Sequence, residues 1–162
     1  WVKSKDDVFL VRDLNNNDQI DDGSELFGSA TLLKNGTLAS NGFEALKDLD
    51  TNGDKLLTAE EMKEGKIKVW ADDNYDGKSS KDELKSFSKA KIESINLNYV
   101  EMLETDKYGN ETRQRSAFHK TDDGKTVCRM IIDVWFKSYS LDEDAKKKDD
   151  DDDKKKKDKD DD

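Results

Sequence analysis

The sequence predicts an α+β fold: short helices joined by loops in the first half, packed against an antiparallel β meander. Three observations predict it. Apolar residues recur three or four apart between Phe43 and Phe87, the spacing of one helix face. From Ile95 onward the period falls to two, as half-buried strands require. Acidic, oxygen-rich stretches of nearly constant internal spacing punctuate the helical part.

The two most regular stretches read DTNGDKLLTAEE, Asp50 to Glu61, and DDNYDGKSSKDE, Asp72 to Glu83. Both fit the twelve-residue EF-hand loop, where side chains at positions 1, 3, 5 and 12 and a carbonyl at 7 surround Ca²⁺. In the first these are Asp50, Asn52, Asp54, the Leu56 carbonyl and Glu61, with Thr58 at position 9. In the second they are Asp72, Asn74, Asp76, the Lys78 carbonyl and Glu83, with Ser80 at position 9. Calcium is a hard cation that gathers oxygens, and alternate residues of a tight loop can point inward together. Asp and Asn also favour plain turns and helix N-caps. Two complete loops, each closed by Glu, weigh for calcium.

The loops begin 22 residues apart. Thr58 to Trp70 is therefore expected to be one shared helix, leaving the first loop and leading into the second, with metals roughly 15–20 Å apart. Position 8 holds Leu57 in one loop and Ser79 in the other, not the aliphatic pair of joined EF-hands, which predicts unpaired loops. Position 6 needs positive φ. Gly77 supplies it freely, whereas Lys55 does so at a cost of roughly 1–2 kcal/mol, which ranks the Asp72 loop as the tighter binder.

Taken in order, Val8 to Val11 reads as a buried strand feeding a third acidic loop, Asp13 to Glu25. Asp13, Asn15 and Asn17 hold positions 1, 3 and 5, with the Gln19 carbonyl at 7 and Asp21 at 9; the closing Glu25 falls one residue late. This is a third candidate calcium loop, weighed against a solvated turn. Glu25 to Gly28 reads as a short helix, and Ser29 to Gly42 as loop. Gly42 to Leu49 is the helix leading into the Asp50 loop, with Phe43, Leu46 and Leu49 inward. Met62, Lys66, Val69 and Trp70, widened by Ile67, give the shared helix its face, and Asp82 to Ala90 leaves the last loop as helix. Ile95, Leu97 and Tyr99 mark a strand, Thr112 to Lys120 another, and Asp123-Gly124 a hairpin. The strand after it, Thr126 to Lys137, sets Cys128, Met130, Ile132, Val134 and Phe136 on one face. Val127, Arg129, Ile131, Asp133 and Trp135 form a mixed second face.

Residues 1–141 form the predicted domain and 142–162 a disordered tail of eight lysines and twelve acids. Within the tail, Asp150 to Lys154 spells the enteropeptidase recognition string, and the segment is left out of the fold. The chain is 42% charged with net charge −10 and lacks a basic stripe, which argues against nucleic acid as a partner. No apolar run approaches the length of a membrane span. The chain opens without Met, as a fragment or processed product would. One cysteine rules out an internal disulfide framework. Calcium loops suggest an extracellular or cell-surface setting, where the ion is abundant. His119 reads as an exposed, idle imidazole and Cys128 as a small buried hydrophobe, phosphate-cradling glycine motifs are absent, and a conventional enzyme is not expected.

The runs VRDLNNNDQIDDGSELFG, NGFEALKDLDTNGDKLLTAEE and VWADDNYDGKSSKDEL resemble the calcium-dependent self-processing module of RTX-type, FrpC-like secreted bacterial proteins. The likeness covers about Trp1 to Ser88 well and the β-rich remainder loosely. It implies that calcium folds the module and triggers cleavage of an upstream Asp–Pro bond, followed by an Asp–Lys isopeptide crosslink. The acids it implicates in that trigger match Asp50, Glu61, Asp72 and Glu83. The scissile pair matches nothing, because the chain contains no proline. The expectation is a calcium-folded module serving structure or interaction, with another protein or a neighbouring domain as partner. The alternative is the body of a self-cleaving unit.

Overall fold

The computed structural model describes residues 7–138. In chain order, strand β1 (Phe9–Arg12) is followed by a 3-10 turn (Gly23–Glu25) and helix α1 (Gly42–Lys47). Then come β2 (Leu56–Thr58), α2 (Ala59–Glu64), β3 (Ile67–Trp70), β4 (Leu84–Ser86) and α3 (Phe87–Ala90). The chain closes with β5 (Ile92–Asn96), β6 (Val100–Thr105), β7 (Glu111–Asp122) and β8 (Lys125–Trp135). The fold is thus built from eight strands and three short helices among the described residues. The expected α+β arrangement of EF-hand-like loops sharing helices is overturned in favour of a β-rich, antiparallel one.

The reason lies between Thr58 and Trp70. Thr58 caps α2, and its hydroxyl and Glu61 form a reciprocal capping box. Gly65 ends that helix, Lys66 turns with φ 56°, and the chain then extends. Ile67, Val69 and Trp70, read as one helix face, instead form β3, pairing with β1 (Phe9↔Trp70, Arg12↔Ile67) and with β4 (Trp70↔Leu84). β-branched residues at alternate positions fill a pleated surface better than a helix. The segment leaving the Asp72 loop likewise starts as β4 and coils only at Phe87, after the Ser86 cap. No single helix separates the two loops, so the metal separation expected from one loses its basis.

Two sheets result. One has the order β1-β3-β4; the other runs β2-β5-β7-β6, with β8 on the remaining edge of β7. Their inner faces and the helices enclose Leu46, Leu49, Leu57, Met62, Ile67, Val69, Phe87, Ile92, Ile95 and Leu97. The hairpin at Asp123-Gly124, with φ 46° and 74°, matches the expectation for a two-residue turn. On β8 the faces are reversed from expectation. Cys128, Met130, Ile132 and Phe136 are exposed and Val134 is half-buried, whereas Asp133 is buried, Val127, Ile131 and Trp135 are half-buried and Arg129 is exposed. Asp133 faces inward because its carboxylate accepts the Gly42 N–H at the start of α1, at 2.7 Å. The acidic tail from Asp142 lies outside the described residues. No described helix is long and apolar enough to cross a membrane.

Candidate metal centre

The three acidic loops share one backbone plan. Position 6 has positive φ in each: Asp18 61°, Lys55 66°, Gly77 72°. Position 4 does too: Asn16 58°, Gly53 74°, Tyr75 62°. Sequence reasoning missed position 4, although Gly53 was the visible signal. With both counted, the Asp50 and Asp72 loops each carry one glycine and one strained L-residue. The backbone argument for a tighter Asp72 loop therefore cancels.

The side chains repeat the plan. The leading aspartate accepts backbone N–H bonds from inside its loop: Asp13 from Asn17 and Asp18, Asp50 from Gly53 and Lys55, Asp72 from Asp76 and Gly77. Asn15, Asn52 and Asn74 accept from the residue two ahead, as do Asn17, Asp54 and Asp76. The closing glutamates are buried and bridge positions 2 and 9. Glu61 accepts from the Thr51 and Thr58 amides, Glu83 from Asp73 and Ser80, and Glu25 from Leu14 and Asp21. Glu25 thus does the work of Glu61 and Glu83 from one position later, the 3-10 turn absorbing the extra residue. Four donors, including the Thr51 and Thr58 hydroxyls, hold the Glu61 carboxyl ionised, with its pKa lowered from 4.5 to about 2.

What flanks the loops differs. The Asp50 loop lies between α1 and α2, with its position 8, Leu57, paired to Ile95 of β5. The Asp72 loop connects β3 to β4, and the Asp13 loop follows β1 in the same sheet. Those two loops meet at position 8, where the Ile20 N–H donates to Ser79 Oγ at 2.6 Å. The Asp50 and Asp72 loops, expected to be unpaired, take different neighbours at position 8: Leu57 pairs with Ile95, and Ser79 accepts from Ile20 of the Asp13 loop.

The donor chemistry suits a hard cation: carboxylates, Asn amide oxygens, the Leu56, Lys78 and Gln19 carbonyls, and the Thr58 and Ser80 hydroxyls. Among the described residues, no three His, Cys, Asp or Glu side chains converge, so carboxylates alone make no metal group. The Asp50 and Asp72 loops fit calcium as mixed oxygen cradles. The Asp13 loop fits less well. There Lys68 Nζ lies 3.1 Å from Asp13 and 3.2 Å from Asp18, and Lys81 lies 2.9 Å from Asp18. Burial opposes ionisation of Asp13, but Lys68 and the loop amides hold its carboxyl below the ordinary range. The amide groups of Asn15 and Asn17 also both turn to Asp21 Oδ2, at 2.8 Å.

The remaining candidates stand elsewhere. His119 is half-buried, with Nδ1 3.4 Å from Ser94 Oγ, and Cys128 is exposed instead of buried, so its expected role as core filler fails.

Residues 1–137 match the family profile described as the SPM domain. The chain is also 42% identical over 122 residues to "Iron-regulated protein FrpA" of Neisseria meningitidis serogroup C, a match covering 75% of this chain. That stretch spans only 11% of the length of the curated relative.

Proposed function

The chain belongs to the SPM domain family, and from that premise we propose that it is a calcium-binding module of an RTX-type protein, folded by the ion it binds. The observation that carries this reading is the threefold repetition of one loop plan. Positive φ recurs at positions 4 and 6, and a buried glutamate reaches back to positions 2 and 9. Ordinary turns have no need of such a repeat; ion cradles do.

The ion would be held by Asp50, Asn52, Asp54, the Leu56 carbonyl, Thr58 and Glu61 in one loop. In the next, Asp72, Asn74, Asp76, the Lys78 carbonyl, Ser80 and Glu83 would hold it. A third would use Asp13, Asn15, Asn17, Gln19, Asp21 and Glu25, in competition with Lys68. Calcium supplies charge that cancels carboxylate repulsion and draws the loop ends together. Binding only the folded form stabilises it by RT ln(1 + [L]/Kd), roughly 2.7 kcal/mol per site at a hundredfold excess. For a domain of ordinary marginal stability that amount is decisive. The Asp–Pro bond implied by the family resemblance has no counterpart in these proline-free residues. The reading therefore concerns the metal-binding body, acting outside the cell or at its surface as a structural or interaction module.

The test is a calcium titration by calorimetry with near-UV dichroism of the same samples. The expected result is binding heat accompanied by a gain of tertiary signal from Trp70 and Trp135. A chelator-stripped sample that keeps the same spectrum and melting temperature as one in millimolar calcium would overturn the proposal.

A further inference from the structure

The C-terminal sheet carries a row of polar side chains near the start of α1, two of them buried. Strand register sets Glu101 of β6 opposite Gln114 of β7, and Gln114 opposite Asp133 of β8. Gln114 and Asp133 are both buried. Gln114 Nε2 donates to Glu101 Oε2 at 2.8 Å, which leaves its carbonyl oxygen on the side of β8. That buried oxygen has no donor. Asp133 accepts the Gly42 N–H at 2.7 Å, and the Trp135 side chain nearby favours its charged form. Glycine at 42 permits this approach, since a Cβ there would lie 3.1 Å from the Phe27 carbonyl oxygen and 3.4 Å from Asp133 Oδ2.

Two buried acceptors thus occupy paired positions on β7 and β8, and the Gln114 oxygen lacks a hydrogen. A neutral carboxyl at Asp133 supplies it. One oxygen still accepts from Gly42 while the hydroxyl donates to Gln114 Oε1. We propose that Asp133 is a proton-controlled latch: neutral, it bridges Gly42 of α1 and Gln114 of β7; ionised, it keeps the Gly42 N–H but opposes the Gln114 oxygen and loosens the hold on β7. Because α1 leads directly into the Asp50 loop, the latch links the outer hairpin to the centre of the domain.

The groups facing Asp133 act on its proton in both directions, and the net effect favours holding it. Burial pushes its carboxyl above the ordinary aspartate value, and the Glu101 charge on β6 pushes the same way. The Gly42 N–H of α1, the Trp135 side chain on β8 and the Arg113 charge on β7 oppose it without prevailing. On α1 the charged pair Glu44 and Lys47 is turned to each other, with Tyr99 donating to Glu44. A raised folded pKa makes this contribution to stability complete at acid pH. It is lost as pH climbs from the ordinary aspartate value through the folded one.

The test is a carboxyl-carbon NMR titration of the wild-type chain, run in calcium and again in chelator, with melts of Asp133→Asn alongside. The asparagine keeps an acceptor for Gly42 and offers Gln114 a permanent donor. The expected results are an Asp133 midpoint above about 3.9, and an Asp133→Asn advantage that widens by several degrees as pH rises from that ordinary value through the measured midpoint. Gln114→Leu should lower the midpoint by removing the proton's acceptor. An Asp133 midpoint at or below the ordinary value, or an asparagine variant melting below wild type at the higher pH, overturns the latch. If the variants fail to fold, the wild-type titration decides alone. A result that holds in chelator stands apart from the calcium reading.

Discussion

Replacing Glu61 by glutamine asks how much one closing carboxylate contributes. Its two oxygens accept four hydrogen bonds between 2.9 and 3.0 Å from Thr51 and Thr58, two amides and two hydroxyls. Summing charged hydrogen bonds at about 1.5–3 kcal/mol each would overshoot, because burying the carboxylate costs part of that sum. The lowered pKa bounds the net. A fall from 4.5 to about 2 corresponds to at most about 3 kcal/mol at 1.36 kcal/mol per unit, less what solvent screens at the loop surface. Glutamine keeps the size but turns an NH₂ toward two of the four donors. The expectation at pH 7 is a loss of about 1–3 kcal/mol, or roughly 4–10 °C in Tm, followed by near-UV dichroism. A depressed pKa gives stability above pH 4.5 that is lost as pH falls toward 2, so the gap to wild type must close over that interval. Melts in chelator isolate the hydrogen-bond share; melts in calcium add any lost affinity. A variant within about 2 °C of wild type at pH 7, or a gap unchanged down to pH 2, refutes the reasoning.

Other outcomes follow from the same loops and sheets. Gly53→Ala and Gly77→Ala should each cost about 1–2 kcal/mol, and equally, because both glycines stand at positive φ; unequal urea midpoints would revive a ranking of the two loops. Lys68→Met should tighten calcium binding at the Asp13 loop several-fold by calorimetry, since the ammonium competes for Asp13; unchanged heats would remove Lys68 from that role. Met130→Ser, on the exposed face of β8, should change stability by less than about 0.5 kcal/mol. Ile131→Ala, packed against the core, should cost at least about 1–2 kcal/mol in the same denaturation assay.

The loops were legible because their signal is local: an Asp, Asn or Asp, and Glu pattern read within a dozen residues. Even Glu25 could be identified one place late, although the 3-10 turn that makes room for it could not. The flanks were not legible. Met62, Lys66 and Val69 have helical spacing, and nothing within Thr58–Trp70 reveals that Val11 and Leu10 lie opposite to pair with Lys68 and Val69 as strands. The same limit reversed β8. Both of its faces carry apolar residues, and the choice was made by Gly42, ninety-one positions away, whose N–H draws Asp133 inward. Long-range pairing decided both cases; the β-branched Ile67 and Val69 suit a strand but do not reveal its partners.

The touch between Ile20 and Ser79 carries a consequence for how ions would load. The Asp13 and Asp72 loops share a wall, while the Asp50 loop has its own against β5. If ions fill these loops, occupancy of one of the joined pair would stiffen the other's backbone, and their saturation curve would be steeper than that of independent sites. The Asp50 loop, which leans on β5 instead, would fill along a simple hyperbola.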